Sequence, residues 1–407
     1  MKFLLSANKD LNLALIDQAL VSGANFLTTI LLARFLGLEE FGRFSLAWFA
    51  VLFVASLHHA LVSAPMMSIG PKLPTVQQPA YYCAVIVHQL TLIAIAVVAV
   101  LAGVAFVDSW SPALDVSGLA LPLATASAAH QIQDFLRRYY FTIDRPVAAL
   151  FSDVLRYGAQ VVMLAWMIWS SESPIDVSNA LWAMSGASGL AILFGCFFLG
   201  NLSFSTDEVR NVAARHWRFS KWISASALME WTSGNLFTIV AGAVLGAQAV
   251  GALRATQNLL GVTHVLLQGL ENVIPVRSAR YYAAEDKSGL IAYLRKVSIL
   301  GLLATTLIAL IFVVFPEFWL RLFYDQEYEG YGNIVRWWGA MYVLTFISLP
   351  LKSGLRAIEY TKPIFIAYLL ATIFSVGTAF WIISTYAFIG VFLGYLINLL
   401  IRHSVMA

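Results

Sequence analysis

Residues 22–48, SGANFLTTILLARFLGLEEFGRFSLAW, return in outline as residues 233–258, SGNLFTIVAGAVLGAQAVGALRATQN. Each stretch reads as an apolar helix, a Gly-x4-Gly turn and the start of a second helix. Gly37 and Gly42 align with Gly246 and Gly251 at an offset of 209, and Ser22-Gly23 with Ser233-Gly234 at 211. Pro65 and Pro275 are expected to close the second helix of each pair. A repeat at this spacing makes the chain two similar halves, while the same glycine pattern also serves any tight helical hairpin, which needs a turn at positive φ and a close approach.

Working outward from the two hairpins, apolar runs predict spans near 13–36, 44–69, 80–107, 117–136, 146–169 and 178–200. After a polar, basic connector come spans near 221–246, 250–274, 290–315, 332–355, 362–384 and 386–402. Sixty per cent of the 407 residues are hydrophobic and 12% are charged, against roughly 25% charged in a soluble domain, so a solvated surface cannot be built from this chain. The expected fold is an all-α integral membrane protein of about twelve transmembrane helices, in two six-helix pseudo-symmetric lobes around a central cleft. Its parts are a lobe over 1–200, a cytoplasmic connector over 201–220 and a lobe over 221–407. Six spans is an even number, so the repeats are expected to be parallel, about an axis along the membrane normal.

The basic residues support this count. If Met1 is cytoplasmic, nineteen of the 25 Lys and Arg fall in cytoplasmic segments, five (Arg34, Arg43, Arg254, Arg321, Arg336) on the other side, and Arg156 within a span. One miscounted span would invert every later loop, so both termini are expected in the cytoplasm. Trp110, Trp182, Trp319, Trp337, Trp338 and Trp381 fall at outer ends and are expected to anchor in the headgroup layer. The first apolar run is too long for a secretory leader and is expected to remain as an uncleaved span.

Polar residues inside the spans form stripes. On the eighth span Arg254, Gln257, Asn258, Gly261, His264, Gln268, Glu271 and Asn272 share about 140° of arc at 100° per residue. On the second, Ser45, Ser56, His59 and Ser63 share about 60°; the first adds Gln18, Ser22, Asn25 and Thr29, and the seventh Ser226, Glu230 and Ser233. Neutral groups of this kind either line a cavity or act as packing glue between helices. Ionisable ones cost about 2.5–3.5 kcal/mol at a helix centre, so Asp17, Glu230, Glu271, Asp153 and Arg156 need partners or water. Asp153 and Arg156, one turn apart, are expected to neutralise each other, and Asp134 and Arg137 to form an interfacial cluster.

Several functions are excluded. Cys83 and Cys196 lie in apolar runs without a CxxC or Cys/His cluster, so neither a disulfide framework nor a metal site is expected. No Walker-type GKT or GKS, HExxH or GxSxG motif occurs, so neither ATP hydrolysis nor other hydrolytic chemistry is expected, and the chain is not expected to be an enzyme. A net charge of +3 implies no nucleic-acid partner.

The stretch ARFLGLEEFGRFSLAW (33–48), its weaker echo AVLGAQAVGALRATQN (243–258) and the twelve-span plan resemble the polysaccharide transporters. These are the Wzx-type O-antigen flippases of the multidrug/oligosaccharidyl-lipid/polysaccharide exporter superfamily, MATE-like in fold. The resemblance implies a flippase that carries an undecaprenyl-pyrophosphate-linked oligosaccharide, an O-antigen, capsule or exopolysaccharide repeat unit, from the cytoplasmic to the periplasmic leaflet of the bacterial inner membrane by alternating access. On that reading Arg34, Arg156 and Arg254 contact the pyrophosphate, His59, Gln257, Asn258, His264 and Gln268 line the sugar path, and Asp17, Glu230 or Glu271 couples H⁺ or Na⁺, with no other cofactor. Membrane lipids, a polysaccharide polymerase and glycosyltransferases are the implied partners. Twelve spans fall short of the fourteen expected of lipid II flippases. The rival readings are a MATE-type cation-coupled drug antiporter, using buried carboxylates such as Asp17, and a membrane-embedded polymerase or glycosyltransferase, which would need a larger outer loop than residues 316–331 provide.

Overall fold

The computed structural model describes the backbone of residues 2–110, 116–170 and 175–407, and side chains over 17–109, 116–170, 175–261, 263, 270, 274–275 and 277–407. Among the described residues there is no strand. The helices are α1 (Lys2–Leu36), α2 (Leu38–His58), α3 (Ala64–Ile69), α4 (Gln78–Trp110), α5 (Ala120–Thr142), α6 (Pro146–Ser170) and α7 (Val177–Cys196). They continue as α8 (Thr206–Leu245), α9 (Ala247–Leu259), α10 (Gly261–Val313), α11 (Pro316–Phe323), α12 (Gly332–Phe346), α13 (Ser348–Ala357) and α14 (Lys362–Met406). Helices are the only open structure that satisfies every backbone group within its own segment in hydrocarbon.

Nine helical stretches among the described residues are long and apolar enough to cross a membrane. The other three expected spans are α5, which is more polar, the pair formed by α9 and the start of α10, and the second half of α14. That last helix carries two expected spans, divided at Ala387 with φ 49°; α10 is divided likewise at Asp286 with φ 57°. At the Ala387 bend Gly390 lies against the Ile382 carbonyl, where a Cβ would collide.

Three expectations need correction. Neither proline ends its helix. Pro65 follows a π turn over His59–Ser63, which takes up the missing N–H and the ring's clash with the preceding turn, and Pro275 lies inside α10, which runs on past it. The eighth span is not one helix: the backbone breaks at Leu260 between α9 and α10, so the arc drawn from Arg254 to Asn272 is interrupted after Asn258. Trp338 is no headgroup anchor. It is buried, and its indole N–H donates to the Leu253 carbonyl at 3.1 Å, because α12 packs on α9.

The chain divides into two compact units, residues 1–36 with 47–228 and residues 37–46 with 229–407. In the first, α5 and α6 each pack along α7, α6 lies on α1, and α4 on α5. An aromatic cluster of Tyr81, Tyr82, Phe135, Tyr139 and Tyr140 fills one end together with Val62 and Met66. In the second, α10 packs against α12 and α13 around Ile274, Phe346 and Leu349. Residues 201–220, read from sequence as a connector, are helical from Thr206 onward as the first turns of α8.

The second unit contains both glycine turns. Gly37 and Gly246 both have positive φ, 79° and 89°, as the repeat requires. The helices that follow cross reciprocally. A Cβ on Gly42 would strike the Ala247 carbonyl, and one on Gly251 the Leu38 carbonyl. Since Leu38 and Ala247 are themselves 209 apart, the crossing is an approximate two-fold, and only glycine lets the backbones meet there. The Glu327 carboxylate accepts the Leu38 N–H at 3.1 Å and caps this copy's α2.

Candidate functional site

In the first unit the spacing of polar residues along three helices builds a buried ionic network. His130, Gln133 and Arg137 recur at three and four residues on α5, as do Asp153, Arg156 and Gln160 on α6, while Asp17 and Thr28 lie three turns apart on α1. These faces meet where the three helices pack. The Arg137 guanidinium donates through Nη2 to Asp17 and through Nε to Asp153, whose side chains are 1% and 0% exposed. Gln133 donates to Asp153 at 2.7 Å, Arg156 donates to Gln133 and, at 2.6 Å, to His130 Nδ1, and Gln160 donates to Thr28 at 2.8 Å. Asp134 and Arg138 pair at 2.8 Å beside the network.

This arrangement overturns the expected pairing of Asp153 with Arg156. Asp153 is neutralised by Arg137 from another helix, and Arg156 is held by Gln133, His130 and the Tyr157 ring. Arg137 is thus the centre of the network rather than part of an interfacial cluster. Sequence reasoning missed it because it lies near a helix end, where a snorkelling arginine is ordinary. The available signal was stoichiometric, since two acids inside spans require a cation from some neighbouring helix. Asp17 Oδ1, Arg156 Nε, Gln160 Oε1 and His59 Nδ1 are buried with no hydrogen-bond partner among the described residues.

Along α1, Gln18, Asn25 and the Arg34 side chain are exposed, with Ser22 between them accepting from Gln18 at 3.2 Å. On the second span Ser45 and Ser56 donate to carbonyls of their own helix, Phe41 and Phe53, so they act in packing.

In the second unit the polar groups are dispersed. Arg254 donates to Gln257 at 2.9 Å, and Asn258 to the Tyr324 hydroxyl at 3.3 Å, which in turn donates to the Ala255 carbonyl. Glu230 on α8 is exposed, accepts the Tyr368 hydroxyl at 3.1 Å and lies 3.8 Å from Lys352 Nζ. Asn398 joins Ser233, Ser375 and the Ala371 carbonyl in a hydrogen-bonded hub between α8 and α14. The side chains of His264, Gln268 and Glu271 lie outside the described residues. A cleft of about 620 Å³ in this unit is lined by Tyr331, Asn333, Arg336, Trp337 and Phe388 among others, and by none of the residues expected from sequence to bind substrate or couple an ion. No group of three or more His, Cys, Asp or Glu suited to a metal occurs among the described residues.

Residues 223–381, under half of the chain and all but the first few within the second unit, match the MatE family. No curated protein matches the chain. Among solved structures, an inward-facing multidrug resistance MATE family transporter of the MOP superfamily superposes with a TM-score of 0.74 at 16% identity, over 94% of this chain and 91% of the other. The lipid II flippase MurJ, in an inward closed conformation, gives 0.73 at 13% identity, over 96% and 86%. A MOP superfamily transporter from Pyrococcus furiosus, described as having a binding pocket of reverse polarity, gives 0.63 at 16% identity over 96% and 91%. The chain therefore has the fold shared by these MOP superfamily transporters, and its 223–381 segment carries the MatE family match.

Proposed function

We propose that the protein is a flippase for a lipid-linked oligosaccharide, taking a polyprenyl-pyrophosphate-bound glycan from the cytoplasmic to the periplasmic leaflet of a bacterial inner membrane. The observation that carries this reading is the fate of the buried acids. A cation-coupled drug antiporter presents carboxylate to a cationic substrate, whereas here Asp17 and Asp153 are both engaged by Arg137. The second unit, meanwhile, offers Arg254, Gln257 and Asn258 together on α9, donors suited to phosphate and sugar. Arg34 and Arg156 are proposed as further pyrophosphate contacts, and His59, His264 and Gln268 as part of the sugar path. Asp17, with Oδ1 unpartnered among the described residues while Oδ2 stays on Arg137, is the proposed site for the coupling proton or Na⁺, ahead of Glu230 and Glu271. A polysaccharide polymerase and glycosyltransferases are the proposed partners.

A drug antiporter is the second reading, favoured by the MatE match over residues 223–381. The two are separated by reconstituting the full chain in liposomes. Transfer of a fluorescent lipid-linked oligosaccharide between leaflets, reduced by Arg254→Ala far more than by Arg254→Lys, supports the flippase. Proton- or Na⁺-driven efflux of an organic cation without lipid transfer sinks it.

A further inference from the structure

The second unit holds a cluster of cations that none of the stripes included. Lys352 on α13 and Arg402 near the end of α14 both stand over the ring of Tyr368, with Lys352 Nζ 5.0 Å and Arg402 Cζ 5.3 Å from its centroid. Tyr368 is 8% exposed and the Lys352 side chain 16%. Arg402 Nε is buried with no hydrogen-bond acceptor among the described residues. Beside them His403 exchanges a hydrogen bond with Ser348 at 2.8 Å. Among the described residues the one carboxylate against this cluster is Glu230, whose side chain is 63% exposed and which reaches Lys352 only at 3.8 Å while accepting the Tyr368 hydroxyl. Two cations drawn into a helical bundle against one mostly solvated carboxylate leave a net positive site, which is costly to keep unless an anion uses it.

We propose that Lys352, Arg402 and the Tyr368 hydroxyl form a binding site for a lipid phosphate or pyrophosphate, and that Glu230 is an internal stand-in for that anion. The donor set fits this class of ligand. A guanidinium edge pairs with phosphate oxygens in a fork, an ammonium supplies a point charge, and a phenol donates a single hydrogen bond. Glu230 occupies two of these donors in the structure, and its exposure lets it swing away when a doubly charged group arrives. By the basic-residue bias, Lys352 and Arg402 belong to the cytoplasmic side, where a lipid-linked substrate is loaded. The proposal deepens the flippase reading by naming a phosphate-recognition site for its substrate; the same chemistry would also hold a phospholipid headgroup.

The test is native mass spectrometry of the purified full-length protein titrated with undecaprenyl pyrophosphate and, separately, with phosphatidylglycerol. Lys352→Gln combined with Arg402→Gln is expected to weaken retention of undecaprenyl pyrophosphate by at least about tenfold, the scale of one or two lost charge-assisted hydrogen bonds. Glu230→Gln is expected to strengthen it several-fold by removing the competing carboxylate. A purely structural ion pair predicts no such gain, and equal or weaker binding by Glu230→Gln overturns the stand-in role. Equal retention by wild type and the double variant overturns the site. Should that variant fail to fold, protection of Lys352 from amine-directed acetylation by inorganic pyrophosphate is read on the wild type, where unprotected modification overturns the site. Tighter retention of undecaprenyl pyrophosphate than of phosphatidylglycerol assigns the site to substrate, and the reverse order to a headgroup. Binding without leaflet transfer removes the flippase reading but leaves the site, and transfer undiminished in the variants does the opposite.

Discussion

The two compact units share a helical plan yet handle buried polarity in opposite ways. In residues 1–36 with 47–228, charge is closed on itself, with one guanidinium between two carboxylates and a hydrogen-bonded chain of Gln133, Arg156 and His130 leading away. In residues 37–46 with 229–407, hydroxyls and amides do the joining through Asn398 and Tyr324, while the cations Lys352 and Arg402 gather round Tyr368 with little compensation. A network of this kind fixes the helix arrangement and leaves only single atoms, such as Asp17 Oδ1 and Arg156 Nε, without a partner among the described residues. An under-neutralised cluster keeps the capacity and leaves packing to neutral groups.

This contrast can be broken most sharply at Arg137. Arg137→Leu leaves Asp17 and Asp153 buried without a cation, and is expected to cost about 3–5 kcal/mol of stability. Thermal melting in detergent measures it, and adding Asp17→Asn should restore part of the loss. Next come Gly42→Ala and Gly251→Ala, which each drive a Cβ into the partner helix's backbone. Each is expected to cost about 1–3 kcal/mol by overpacking, and because the crossing is reciprocal the two should agree closely in melting temperature. Asn398→Ala strands the hub's hydroxyls, which can turn to their own helix carbonyls, so about 1–2 kcal/mol is expected in the same melts. The smallest effect belongs to Arg43→Gln. Its pairs with Glu39 and Glu40 lie at the surface, so the change should stay below about 1 kcal/mol, and a loss as large as that of Arg137→Leu would erase the distinction drawn here.

Much of the architecture was legible because hydrocarbon demands it. Apolar length, the alternation of basic residues and the glycine pair at an offset of 209 are all one-dimensional signals. They anticipated the all-helical fold and both left-handed glycines, Gly37 and Gly246. Element ends were less legible. Pro65 and Pro275 read as stops because proline removes a hydrogen bond, but a π turn precedes Pro65 and α10 runs on past Pro275. Site residues were least legible. Asp153 and Arg156 are near in sequence and suggest a pair, yet which helix supplies the counter-charge depends on the packing of α1, α5 and α6.

By itself, then, the sequence determined that this chain lives in a membrane, that two of its hairpins are related and that glycine must stand at the two turns, Gly37 and Gly246, since period, hydropathy and backbone freedom are local properties. Only the tertiary structure decided that Arg137 neutralises both Asp17 and Asp153, that Trp338 turns inward to Leu253, and that Lys352 and Arg402 meet over Tyr368. Each of those outcomes joins residues from different helices, and no local pattern records which helix will be its neighbour.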